Sequence, residues 1–168
     1  SDQIISDFGA AIPLVRVMPN VNAQIGQSMS ALCPVGTTDE QLAAARKLLD
    51  SVGQTIVLDE KYFPVFTAIA SSSPAWIFRM IDAMAEAGVN HGLTKADSTR
   101  IVAQAFAGSA QLLLGGLDNG QVPANFIDRV SSPGGTTIAG LLAAQEAGLS
   151  SAIVAAVDAA VERDHHLG

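Results

Sequence analysis

The pattern of the chain changes between Leu58 and Glu60, and this change constrains the fold more than any other feature. Before it, strand and helix alternate. Leu14-Val15-Arg16-Val17-Met18 is a short β-branched run stopped by Pro19-Asn20, Ser28 to Val35 is a second run that ends near Cys33-Pro34, and Gln54 to Leu58 reads as a third strand. Between the second and third, Thr38 is placed to cap a helix with Glu40 and Gln41 in its first turn. Leu42, Ala45, Leu48 and Leu49 then recur at helical spacing until Val52-Gly53. Ser1 to Pro13 offers no opening strand followed by a glycine-rich turn and helix, so an α/β unit is entered partway through.

From about Glu60 onward no further run reads as a strand. Pro74 to Glu86 carries Trp76, Ile77, Met80, Ile81 and Met84 at helical spacing and is expected to end at Gly88. Thr94 is placed to cap a long helix to about Leu114, with Gly115-Gly116 as its stop. Pro123 to Arg129 is a shorter helical piece, and two more helices, Thr136 to Ala147 and Ser150 to Arg163, are separated by Gly148. These last two are rich in Ala and poor in charge, which suits helices surrounded by protein on most sides. The expected fold is mostly α with a small α/β remnant, residues 1–59 forming the remnant and 60–168 an all-helical unit.

Of 168 residues, 49% are apolar and 15% charged, and the mean hydropathy of +0.34 excludes a disordered chain. A surface so sparing in charge is expected to meet another subunit. The apolar runs break before the ~18 residues that span a bilayer, so a soluble chain is expected. The net charge of −7, with only 9 scattered Lys and Arg, gives no footprint for nucleic acid. Cys33 stands alone, so neither an internal disulfide nor a cysteine-based zinc site can form, in keeping with a cytoplasmic protein. It reads as a small buried hydrophobe in a strand.

The segment with most chemical content is Val130-Ser131-Ser132-Pro133-Gly134-Gly135-Thr136-Thr137. Two glycines allow close backbone approach, and the helix behind them points unpaired N–H groups outward, an arrangement suited to a carboxylate or phosphate. The same residues also make an ordinary capped turn between two helices.

With Ile138-Ala139-Gly140-Leu141 following and Pro123 upstream, this segment resembles the signature of pyrroline-5-carboxylate reductases. Three further segments agree in order. Arg16-Val17-Met18-Pro19-Asn20 is similar to the last part of that family's nucleotide-binding domain. Phe66-Thr67-Ala68-Ile69, leading to Ser72 and Pro74-Ala75, is similar to the start of its helical domain, and Ala87-Gly88-Val89 with Gly92-Leu93 matches a further segment. The resemblance implies an all-helical dimerisation domain preceded by the last strands and helix of a Rossmann-like domain.

It further implies an enzyme reducing the imine of L-1-pyrroline-5-carboxylate to L-proline with NADPH or NADH. Ser132, Gly134, Gly135, Thr136 and Thr137 would bind substrate, and the Thr137 hydroxyl would take the catalytic place at the ring nitrogen. The family resemblance also implies a homodimer, or a higher oligomer built from it, interleaved through the helices beginning near Thr94 and Ser150. Two competing readings are a helical oligomerisation module without catalytic activity and a related imine or hydroxy-acid dehydrogenase.

The chain departs from the family pattern at Val21-Asn22, at Ser71-Ser72-Ser73 where many members have Gly flanking a Ser, at Gly120 where a Glu is common, and at Arg129. Arg129 could meet a cofactor phosphate, or serve as a helix-end cation. No G-x-G-x-x-G occurs, so these 168 residues are expected to be a carboxy-terminal fragment of the reductase, to hold no dinucleotide and to show no turnover alone. No metal is expected. His91 reads as a surface or cap residue, His165-His166 as a frayed tail, Asp82 and Glu86 as a solvated face, and Trp76 and Phe78 as core or interface anchors.

Overall fold

The computed structural model describes residues 5–7 and 12–166. The expectation that Ser1 to Pro13 contains no strand falls largely outside them. The described residues form two compact units, one reaching to Pro74 and taking in the chain again from Ala155, the other Ala75–Val154.

The first unit is built on a three-stranded sheet in the order β1 (Leu14–Met18), β2 (Ser28–Val35), β3 (Gly53–Val57). β1 and β2 run antiparallel, with Leu14 opposite Val35 and Met18 opposite Ala31. β2 and β3 run parallel, with Ser28 opposite Gly53 and Leu32 opposite Val57. Their parallel relation requires a crossover, which α1 (Asp39–Leu49) supplies. Thr38 caps α1 as expected, in a reciprocal box: its hydroxyl accepts from the Gln41 amide at 3.3 Å while Gln41 Oε1 accepts from the Thr38 amide at 2.9 Å. The central strand is buried along most of its length, and Ala31 and Cys33 pack with Phe63 and Phe66 as the core. Each fully buried Phe or Leu here contributes about 1.5–3 kcal/mol through lost apolar exposure.

The chain after β3 is already helical by Phe63, earlier than Pro74 where the sequence spacing places the helix start. A short α2 (Phe63–Phe66) with Pro64 in its first turn passes into a π-helical turn, Thr67–Ser72, and then into α3 (Ser73–Asn90). Three consecutive serines and two prolines hide this continuity, because each is a poor helix former in isolation.

In the second unit α3 runs through Gly88 to Asn90, and α4 (Lys95–Leu117) begins at the expected Thr94 cap, whose hydroxyl accepts from the Asp97 amide at 3.1 Å. α4 also passes straight through Gly115-Gly116, contrary to the expected stop. Glycine weakens a helix by only about 1 kcal/mol, and Gly116 is required by packing: a Cβ there would lie 2.5 Å from both Phe126 Cζ and Gln121 Oε1. The stop comes at Gly120, whose φ of +71° lets the Gln121 amide return to the Gly116 carbonyl at 3.1 Å. Gly120 thus serves as a helix terminator where the family resemblance anticipates a carboxylate.

α5 (Pro123–Val130), α6 (Thr136–Glu146) and α7 (Leu149–His165) follow. α7 includes His165, and His166 Nδ1 lies 2.7 Å from the Glu162 carbonyl, so these histidines close the helix end instead of fraying from it. His91 is exposed in the connection before α4. Trp76 is partly buried, whereas Phe78 is exposed and anchors no core within the chain.

Candidate functional site

The connection between α5 and α6 is a tight turn. The Gly135 amide donates to the Ser132 carbonyl at 3.0 Å, Pro133 fixes the second position, and Gly134 holds φ at +67°. A proline followed by a positive-φ glycine defines a type II turn. Gly135 is constrained differently: a Cβ there would run into Ser132 Oγ and approach the Ser132 carbonyl at 3.2 Å. The two glycines have separate reasons to be glycine, one conformational and one steric.

The turn delivers the chain into α6 with Gly135 as N-cap, in extended conformation and with no side-chain cap. The first helical hydrogen bond runs from the Ala139 amide to the Gly135 carbonyl at 3.3 Å. The amides of Thr136, Thr137 and Ile138 therefore precede the ladder, and no protein acceptor among the described residues meets them. The first turn carries no acidic side chain, so the partial positive charge of the helix end is not neutralised locally. Thr136 and Thr137 are exposed, and neither hydroxyl has a hydrogen-bond partner among the described residues.

The fold thus brings Ser132, Gly134, Gly135, Thr136 and Thr137 together by local geometry alone. Arg129 stands one turn back, in the last turn of α5, with its guanidinium 5.5 Å from the Phe126 ring centre. Ser131, part of the same segment but given no role by the sequence, has its Oγ buried without a partner among the described residues. A buried hydroxyl in that state costs roughly 1–3 kcal/mol, so this one stands as an uncommitted donor beside the turn.

The Asp82–Glu86 face is solvent-accessible, as expected, with Glu86 exposed and the Asp82 side chain 45% exposed. Asp82 is ion-paired across to α4, with Lys95 Nζ at 2.6 Å and Arg79 at 3.0 Å. The Lys95 hydrogen bond and charge, assisted by Arg79, hold the Asp82 carboxyl below its ordinary range. Among the described residues no group of three potential metal ligands occurs, and no single helix is long and apolar enough to cross a membrane.

The turn from β2 into α1 is poorly suited to a pyrophosphate. Gly36 leads into α1, but the Gln41 amide is already engaged by the Thr38 hydroxyl and Asp39 and Glu40 occupy the first turn. A pyrophosphate there would compete with a cap and face two carboxylates.

Comparison with known proteins follows these features closely. The family model for pyrroline-5-carboxylate reductase dimerisation matches residues 60–167. Pyrroline-5-carboxylate reductase of Thermus thermophilus is 40% identical over 157 residues, covering 92% of this chain and 58% of that protein. The chain therefore spans a little over half the length of this relative. The solved 1-pyrroline-5-carboxylate reductase of Streptococcus pyogenes superposes with a TM-score of 0.87 at 44% identity, over 97% of this chain and 62% of that one. The Plasmodium falciparum pyrroline carboxylate reductase, solved with NADP bound, superposes with a TM-score of 0.86 at 26% identity, over 96% and 64%. With the dimerisation domain matched and the fold shared almost end to end, the chain belongs to the pyrroline-5-carboxylate reductase family.

Proposed function

We propose that residues 60–168 are the substrate-binding and dimerisation domain of an enzyme that reduces L-1-pyrroline-5-carboxylate to L-proline with NADPH or NADH, and residues 1–59 the last part of its dinucleotide-binding domain. The observation that carries this reading is the uncapped N-terminus of α6 behind the Ser132–Gly135 turn. The substrate carries a carboxylate next to a ring nitrogen. The carboxylate suits the amides of Thr136 and Thr137, with Gly134 and Gly135 keeping side chains out of its approach. The Gly135 amide is already spent on the turn. The Thr137 hydroxyl, free of protein partners, would donate to the ring nitrogen and so favour hydride arrival at the imine carbon. Arg129 is the residue nearest this turn able to meet a cofactor phosphate, and no step involving the dinucleotide is assigned to the other residues here.

The reading includes a homodimer in the cytoplasm. Ile101 and Leu112 on α4 and Val154 on α7 are each more than half exposed, which places the uncovered apolar surface on the helices expected to interleave. The same surface favours the second reading, an assembly module without catalysis, and ligand binding separates the two.

The test is a calorimetric titration of L-proline into the chain and its Thr137→Ala variant. The reductase reading expects saturable binding that Thr137→Ala weakens about fivefold, the worth of one hydrogen bond. No binding by the unaltered dimer would overturn it in favour of the assembly module.

A further inference from the structure

Pro74 is the second residue of α3, and it creates a problem within its own helix. A proline has no N–H to offer the carbonyl four residues back, and its ring crowds that carbonyl. Four residues back is Ala70, inside the π-helical turn Thr67–Ser72. A π turn is the helix's means of absorbing such a conflict, and single π turns of this kind occur often at functional sites.

The Ala70 carbonyl finds a donor elsewhere in the same unit. Asn20 Nδ2, 50 residues earlier in the chain, donates to it at 3.0 Å. Asn20 is itself held on two other sides. Its Oδ1 accepts from the Asn22 amide at 3.1 Å, and its own amide donates to Ser28 Oγ at 3.3 Å, in contact with buried Ser30. Two serines of the turn add to the arrangement: Ser71 Oγ donates to the Pro19 carbonyl at 3.3 Å and Ser73 Oγ to the Ile69 carbonyl at 2.7 Å. These are two of the positions where the chain departs from the glycines common in its family. Asn20, Asn22, Ile69, Ala70, Ser73 and Pro74 all line one cavity of 580 Å³.

We infer that Asn20 is a positioning residue: by serving the carbonyl that Pro74 cannot reach, it fixes the π turn against the Pro19–Asn22 loop and so sets one wall of this cavity. The inference is independent of the reductase reading, and its test requires neither substrate nor cofactor. Asn20→Asp keeps the acceptor for the Asn22 amide, removes the donor to Ala70 and adds a negative charge beside that carbonyl, so Asn20→Ala, which removes the donor without the charge, is measured alongside it. Pro74→Ala restores an N–H that can reach the same carbonyl, so the two substitutions should compensate.

Amide hydrogen exchange on the whole 168-residue chain reads the outcome. Asn20→Asp is expected to lower protection across Ala68–Ser73 about tenfold while leaving β2 unchanged. In a Pro74→Ala background the same substitution is expected to cost threefold or less, at about the level of a single weak contact. Equal losses in both backgrounds, no loss in either, or a loss shared equally by β2 would overturn the inference. Should Asn20→Asp fail to fold, the double variant must fold; failure of both would also overturn it.

Discussion

The Gly135 amide and the Ser132 carbonyl meet at 3.0 Å, and that bond places the start of α6. Gly135→Ala would force a Cβ into Ser132 Oγ. The expected cost is about 1–3 kcal/mol, as for other overpacked sites, read as a lower thermal midpoint together with weaker L-proline binding. Adding Ser132→Ala should recover part of both, since it removes the nearest obstacle and leaves only the carbonyl contact. A double variant no better than Gly135→Ala would show that the backbone contact alone sets the constraint.

Gly116 makes a comparable prediction in a purely structural setting. Gly116→Ala places a methyl 2.5 Å from Phe126 Cζ and should destabilise the second unit by about 1–3 kcal/mol. Gly115→Ala, with open space around it, should be neutral or stabilising by up to about 1 kcal/mol, since alanine is the better helix former. Urea denaturation of the two variants checks the contrast, and equal effects would contradict the packing explanation.

The Asp82–Lys95 pair carries a pH dependence of defined sign. The Lys95 partner lowers the Asp82 carboxyl in the folded chain relative to the unfolded one. Its stabilisation is therefore complete above the unfolded carboxyl range and is lost as pH falls through the folded value. Asp82→Asn should be less stable than the parent at about pH 6, and the gap should close as pH falls through the lowered folded value of the Asp82 carboxyl. High salt should narrow the gap at the upper pH, because both side chains are nearly half exposed.

The dimer prediction rests on exposed apolar side chains. Light scattering at micromolar concentration should show no stable monomer of the parent chain, and Leu112→Glu on α4 should shift the population toward monomer and lower the thermal midpoint in a concentration-dependent way. A parent chain that is monomeric and stable at that concentration would count against assembly through these helices.

Much of the fold was legible because its signals are local. The Thr38 box, the Thr94 cap and the Pro133-Gly134-Gly135 turn each depend on residues within four positions, where side-chain chemistry and allowed φ decide the backbone. The candidate carboxylate site belongs to this class, since a turn and the first residues of its helix are contiguous in sequence. β1 and β3 were legible for a related reason: their β-branched runs are bounded by breakers.

What the sequence could not decide were the places where a distant partner overrides local propensity. Gly115-Gly116 reads as a stop, yet α4 continues because Phe126 needs the space beside Gly116. Asp82 stays on a solvated face, but its pairing with Lys95, 13 residues on, is decided by the fold. Pro74 reads as a helix start, but the helix begins at Phe63 and passes through the serines and Pro74 because a π turn absorbs the proline and Asn20 serves the Ala70 carbonyl. Sequence alone thus determined the elements, their caps and the turn that marks the family; tertiary structure decided where helices end and which polar groups are satisfied. The reason is that a hydrogen bond across 50 residues leaves no periodicity in the sequence.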